Sequence, residues 1–299
     1  MLLVTGGQLD PHIGALLRRV LVRGVAFKDL LVGPGMHPPC TLHPDGRLEL
    51  DGVVVDASAC FIRHDVFMAQ RSGAAGDSRA ALNWHHAIKG WALSQPSVRL
   101  FNRFSRGDYN KVESLALARG AGLSVPATLI TNAPSGLPAS DFIMKPVAGG
   151  ELTEPAAADT VLAYPYIFQA RLSRPEMRVY IVGERHFGFS IESPDLDYRQ
   201  HHNVELKAVE APLALIEPLL RLTRALGLEF AAADFMQDEH GDYQFLEINS
   251  QPMFAAFDKV VSGQLCDAMI DWLTKTPPVA GFDAPEMVSP VGFEPLAIR

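Results

Sequence analysis

Short apolar runs broken by turn residues organise the first hundred positions. Met1–Thr5 reads as a buried strand, and Gly6, Gly7 and Asp10 lead into a helix, roughly Ile13–Val22, that Gly24 ends. Leu48–Leu50 and Val53–Val55 flank Asp51-Gly52, a strong two-residue hairpin signal. Cys60–Arg63 predicts another strand, Arg71–Asp77 a loop, and Ala80–Ser94 a helix. The mixture of short strands and helices reads as a small α/β lobe.

From about residue 110 the elements lengthen. Asn110 followed by Glu113 has capping-box spacing, and the helix it opens runs to Arg119 and stops at Gly120. Strands follow at Ala127–Ile130 and Phe142–Pro146, with Val147–Glu151 a glycine-bearing loop and a third apolar strand through Tyr166, Ile167 and Phe168. Alternation on both sides of Gly183-Glu184 predicts an antiparallel hairpin over Arg174–Ser193 that puts Glu176, Arg178 and Tyr180 on one face. Ala211–Leu226 is helical by period and ends at Gly227; Pro218 either kinks it or marks its true start. Asp258 is placed to cap a last helix through about Leu273, and the five prolines of 276–299 predict a tail without regular structure.

The chemistry concentrates in Phe230–Phe257. Apolar runs flank the loop Asp238-Glu239-His240-Gly241-Asp242, so the segment reads as a hairpin. Turning at His240-Gly241 pairs Asp238 with Tyr243 and, in the same register, Asp234 with Glu247. Glu247 and Asn249 share one face of their strand. Two carboxylates and an amide oxygen then converge among Phe230, Phe235, Phe245, Leu246 and Ile248. Buried carboxylates need a cation or another partner, and hard oxygen ligands on a rigid sheet suit Mg²⁺. The same pattern also describes an amphipathic hairpin with solvated acids on its outer face.

Composition narrows the classes. The chain has 299 residues, 48% hydrophobic and 20% charged, an ordinary globular balance that supports a sizeable core. The net charge of −8 and the absence of any Lys/Arg run argue against nucleic acid as the main partner. Cys40, Cys60 and Cys266 are too scattered for a disulfide framework or a zinc pattern and fit a reducing cytosol. MLLVTGGQLD lacks a basic n-region, and no apolar stretch is long enough to span a bilayer. A soluble cytoplasmic protein with no membrane partner is the expectation.

Cations appear where an anion would use them. Lys111 sits in the first turn of its helix, which the helix dipole disfavours unless it faces an anion. Lys145 ends a strand just before a loop whose amides can cover phosphate. Arg178 offers a fixed fork that can bridge phosphate and carboxylate oxygens, although with Glu176 it could equally form a cross-strand salt bridge.

The run "NKVESLALARGAGLSVPATLITN", the strand lysine before a glycine loop, "EMRVYIVG", "DYR" at 197–199 and "LEINSQPMF" resemble, in that order, the motifs of ATP-grasp carboxylate–amine ligases. The likeness is strongest to the branch holding ribosomal-protein glutamate ligases and microviridin-type (graspetide) macrocyclases. It implies an ATP-grasp fold of α+β and α/β parts. Residues 1–100 would form an N-terminal pre-ATP-grasp lobe and 101–275 an ATP-grasp domain with lobes at 101–170 and 171–275. Residues 276–299 would be the tail. It further implies that Asp234, Glu247 and Asn249 hold Mg²⁺, with Mn²⁺ as a substitute. Lys111, Lys145 and the hinge Gln169, Ala170, Arg171 and Leu172 would bind ATP, with Glu176 on the ribose. Arg178 and Lys145 would act on the transferred phosphoryl group, and Arg199 and Asn203 would contact substrate. The implied reaction is ATP-dependent amide or ester formation through an acyl phosphate, between a carboxylate and an amine or hydroxyl of a peptide or amino acid. Many members of the superfamily are dimers. Two other readings stay open: a kinase or phosphotransferase that stops after phosphoryl transfer, and a nucleotide-binding regulator without turnover.

Overall fold

The computed structural model describes residues 1–36, 38–105, 110–148, 153–156, 161–193 and 204–275. Arg199, Asn203, the histidines beside them, much of the 147–151 loop and the 276–299 tail lie outside the described residues.

In chain order the elements are β1 (Leu2–Gly7), α1 (Pro11–Val22), β2 (Phe27–Val32), β3 (Cys40–Leu42), β4 (Leu48–Leu50), β5 (Val53–Val54), β6 (Ala59–Ile62), α2 (Met68–Ser72), α3 (Ala75–Ser94) and β7 (Arg99–Leu100). There follow α4 (Lys111–Gly120), β8 (Thr128–Thr131), β9 (Phe142–Pro146), β10 (Glu154–Pro155), β11 (Tyr166–Ala170), β12 (Ser173–Val182), β13 (Arg185–Glu192) and β14 (Glu205–Val209). The chain continues with α5 (Leu213–Leu226), β15 (Phe230–Gln237), β16 (Tyr243–Asn249), α6 (Ala255–Val260) and α7 (Gln264–Thr274). Contacts divide the chain into two compact units, Met1–Arg103 with the segment from Gln251, and Phe104–Ser250. The 101–275 span expected to be one domain therefore gives up α6 and α7 to the first unit.

In the first unit a parallel sheet of order β2-β1-β6-β7 carries the core of Leu3, Leu30, Cys60, Ile88, Trp91 and Val98. A small antiparallel sheet turns at Asp51-Gly52, both with positive φ (53° and 75°), as the hairpin signal required. His12 and Arg63 tie this unit together. Arg63 Nε donates to Asp10 at 2.9 Å and Nη1 to the Pro252 carbonyl at 3.0 Å. His12 Nδ1 accepts from the backbone N–H of Phe254 (3.0 Å) and Ala255 (2.9 Å). Burial, aided by the Arg63 charge, lowers the His12 pKa to about 3, so the ring is neutral and free to accept. Arg19 grips Asp267 with the Nε and Nη2 of one guanidinium edge, at 3.1 and 2.5 Å, and so locks α1 to α7.

Two sequence expectations fail here. Arg71–Asp77 is largely helical: α2 ends at Gly73 in the left-handed region (φ 75°), which lets α3 begin at Ala75. Asp258 lies inside the short helix α6 and does not start the final one. Its carboxylate still accepts from Cys266 N at 2.8 Å, three residues into α7, whose own N-cap is Gly263 and offers no side chain. Asp258→Ala should lower stability by about 1 kcal/mol, read as a shift of the urea midpoint at unchanged slope.

The second unit holds two antiparallel sheets, β10-β9-β11-β8 and β14-β13-β12-β15-β16. One face of the five-stranded sheet (Met177, Val179, Ile181, Ala231, Ala233, Phe235) packs against Leu115 of α4 and Leu219, Leu222 and Leu226 of α5. Pro218 lies inside α5, which starts at Leu213, and Gly227 ends it at φ 66°. A Cβ at Gly227 would sit 2.7 Å from the Phe104 carbonyl, so glycine is required there twice over. One face of the four-stranded sheet buries Phe142 and Phe168 with Leu137 and Ala156. Period-two alternation then fixes which side chains occupy the two remaining faces.

Candidate active site

On the five-stranded sheet the remaining face carries charge in a row across three strands. Arg178 of β12 pairs with Asp234 of β15, which pairs with Glu247 of β16. Arg178 Nε and Nη2 donate to Asp234 Oδ1 and Oδ2 at 2.6 and 2.8 Å, a bidentate fork buried on both sides. Phe189 and Ile191 of β13, the ladder partners of Arg178 and Glu176, are fully buried and form an apolar wall with Tyr180. That wall strengthens every charge interaction beside it.

Glu247 is engaged from two sides: Lys111 Nζ lies 3.2 Å from Oε2, and Asn249 Nδ2 donates to Oε1 at 3.2 Å. Asn110 caps α4 as its spacing predicted, its side chain accepting from Glu113 N at 3.0 Å. This sets Lys111, the first residue of the helix, against β16. On the four-stranded sheet the Lys145 ammonium donates to Gln169 Oε1 at 2.9 Å.

The protonation states follow from these neighbours. Burial alone would raise Glu247, but Lys111 and Lys145 outweigh it and bring its pKa down to about 2. Burial lowers Lys145; Glu247 opposes that shift and Lys111 adds to it. Burial and the Asp234 charge push Glu176 up to about 7 against the pull of Arg178 and Arg174. Burial raises Asp234 as well, while the Arg178 fork holds it toward the ionised form. Because the folded-state pKa of Glu247 is depressed, its stabilisation is complete above the unfolded carboxylate range. It is lost as pH falls from about 4.5 toward about 2. The stabilities of wild type and Glu247→Gln, read as urea midpoints at each pH, should therefore converge below that window and separate above it.

The register of the hairpin differs from expectation near its turn. Gln237, and not Asp238, opposes Tyr243, and Phe235 opposes Phe245. A bulge that leaves Leu246 unpaired then restores Asp234 to Glu247, the predicted pairing. β16 is the edge strand, and the Phe245 N–H beside the bulge is satisfied by the Ser124 carbonyl at 2.7 Å. In the hinge, the N–H of Ala170 donates to Ala127 O (2.9 Å) and that of Arg171 to Asp141 O (2.7 Å). Two of the amides expected for a nucleotide base are thus already bonded within the unit. The side chain of Gln169, read from the sequence only as the start of the hinge, is instead the Lys145 partner. The direct Arg178–Asp234 fork was also missed; it forms because the two residues stand directly opposite on neighbouring strands.

The donor set tests well for a hard divalent cation. Asp234, Glu247 and Asn249 supply two carboxylates and one amide oxygen from adjacent strands, and the acids are charged or held near charged partners. Mg²⁺ needs one or two carboxylates and takes its other ligands from water and phosphate. Among the described residues no three His, Cys, Asp or Glu side chains cluster as a metal site.

Neither a family model nor a curated protein sequence matches the chain. Solved structures do. The ATP-grasp ligase PsnB, complexed with a minimal precursor, Mg and ADP, superposes with a TM-score of 0.70 at 24% identity, over 91% of this chain and 97% of that one. The macrocyclase MdnC of Microcystis aeruginosa MRC, bound to its precursor peptide MdnA, gives 0.69 at 19% identity over 92% and 99%. A Chryseobacterium gregarium RiPP-associated ATP-grasp ligase, with ADP and a leader and core peptide, gives 0.67 at 18% over 93% and 97%. Likeness of this extent over almost the whole of each chain shows that this protein has the ATP-grasp fold.

Proposed function

We propose that the chain is an ATP-dependent carboxylate–amine ligase that forms an amide or ester bond on a peptide through an acyl phosphate. The observation that carries this reading is the row Arg178–Asp234–Glu247, flanked by Lys111 and Lys145, on a fold that PsnB, MdnC and the Chryseobacterium ligase share. Those three were solved with precursor peptides, at TM-scores of 0.67–0.70, whereas D-cycloserine synthetase DcsG reaches 0.54. That ordering favours a peptide over a free amino acid.

In this reading Asp234, Glu247 and Asn249 hold Mg²⁺, which when bound neutralises charge on the nucleotide phosphates. Lys111 and Lys145 bind phosphate oxygens, and Arg178 stabilises charge on the transferred phosphoryl group. Glu176 accepts from a ribose hydroxyl. Gln169, Ala170, Arg171 and Leu172 form the hinge beside the base. Arg199 and Asn203 contact the substrate. The carboxylate of the substrate attacks the γ-phosphorus, ADP leaves, and the amine or hydroxyl then displaces phosphate. No Ser or Cys nucleophile is needed, because positioning and electrostatics supply the rate. The N-terminal lobe precedes the ATP-grasp domain in this scheme, and 276–299 is its tail.

We place the reaction in the cytoplasm, where ATP and a reducing poise suit the unpaired Cys40, Cys60 and Cys266. No helix among the described residues is long and apolar enough to cross a membrane. Sedimentation tests whether the chain forms a homodimer. The activity is tested by ADP release in the presence of Mg²⁺ and a panel of peptide and amino-acid acceptors. A ligase releases ADP only when its acceptor is present. Acceptor-independent release that leaves a phosphorylated product would replace this reading with a kinase.

A further inference from the structure

Lys145 is aimed by its neighbours, and the hydrogen bonds that aim it run in one direction. Gln169 lies on the central strand β11, opposite Thr128 of β8 on one side and Ile143 of β9 on the other. Lys145 is two residues along β9 from Ile143 and so shares its face. On that face three side chains form a line across three strands. Lys145 Nζ donates to Gln169 Oε1 at 2.9 Å, and Gln169 Nε2 donates to Thr128 Oγ1 at 3.2 Å. The Thr128 hydroxyl donates to the Pro126 carbonyl at 2.7 Å.

Each end of this line has a fixed polarity. A carbonyl only accepts and an ammonium only donates. With its single hydrogen committed to Pro126, Thr128 Oγ1 can only accept, so Gln169 must turn its NH₂ to Thr128 and its oxygen to Lys145. The reversed amide would set NH₂ against NH₃⁺ in a place where Gln169 is 1% exposed. The line thus holds one Lys145 N–H and leaves two for an anion. It also restrains the ammonium from moving toward Glu247, whose charge attracts it.

We propose that Thr128 and Gln169 are positioning residues, a one-way relay from the Pro126 carbonyl that fixes the Lys145 ammonium for nucleotide phosphate. This deepens the ligase reading and rests on its assignment of Lys145. The test uses the full chain, with ADP and Mg²⁺ as probe. Thr128→Val keeps the shape and removes the hydroxyl; it should weaken ADP binding about tenfold, the upper range for a lost neutral hydrogen bond. Thr128→Ser should retain wild-type affinity. In a Lys145→Met background Thr128→Val should have no further effect, because the coupling runs only through the lysine.

The ¹⁵N signal of the Lys145 ammonium, followed without nucleotide, should broaden by solvent exchange in Thr128→Val and stay sharp in Thr128→Ser. Gln169→Leu supplies the same readouts should Thr128→Val fold poorly. Equal loss of affinity in both lysine backgrounds, or an unchanged Lys145 signal, overturns the relay. A broadened signal together with wild-type ADP affinity in Lys145→Met instead overturns the nucleotide assignment of Lys145, and the relay's purpose with it.

Discussion

Arg178→Met is expected to destabilise the second unit by about 3–5 kcal/mol, the usual cost of stranding one partner of a buried ion pair. On a unit of this size that is a fall of roughly 10 °C in Tm. The cause is Asp234, which is 3% exposed and would lose both bonds of the guanidinium fork. Its folded pKa, already raised by burial, would rise further without Arg178. A raised carboxyl pKa makes folding cheaper at low pH and costlier once the group must ionise. The deficit should therefore be small below about pH 4, the unfolded carboxylate range, and grow as pH rises through the folded value. The double variant Arg178→Met with Asp234→Leu removes both charges and should recover most of the stability, since apolar replacements of buried pairs are often neutral or better. It should remain inactive. Recovery of fold without recovery of turnover separates what this pair does for stability from what it does for the reaction.

Glu247→Gln is expected to lower turnover by about a hundredfold or more at saturating Mg²⁺, with little change in secondary structure. The substitution is nearly isosteric, and the one amide oxygen still accepts from either Lys111 or Asn249. What disappears is the negative charge that draws Lys111 and Lys145 together and that would ligate the cation. Apparent Mg²⁺ affinity, measured from the metal dependence of ADP release, should fall in parallel. A reduced rate with unchanged metal dependence would assign Glu247 to the lysines alone.

Much of the site was legible because strands repeat every two residues. Glu176 and Arg178, and likewise Glu247 and Asn249, fall on shared faces whatever the exact turn, and the order of cations and acids along the chain suggested the fold. The hairpin shows the limit of that reasoning. The turn was placed one residue away from its true register, and only the bulge at Leu246 brought Glu247 back opposite Asp234. Bulges depend on what borders an edge strand, here the Ser124 carbonyl, which is remote in sequence.

The Asp258 cap on α7 was half visible for a related reason: the capping carboxylate was found, but it acts from the preceding helix. Helix α2 and the first turn of α3 were hidden by a segment whose glycines and serine resemble a loop, while Gly73 merely ends one helix before the next begins. Gln169 was noticed for its backbone and matters for its side chain, a role that appears only when β8, β9 and β11 lie side by side.

The most direct test is the intact mass of an acidic acceptor peptide after incubation with ATP, Mg²⁺ and the protein, alongside the amount of ADP formed. The ligase account predicts a peptide lighter by one water for each ADP produced, and no change with Glu247→Gln. A peptide heavier by a phosphoryl group, or one lighter by water without ADP, would contradict it.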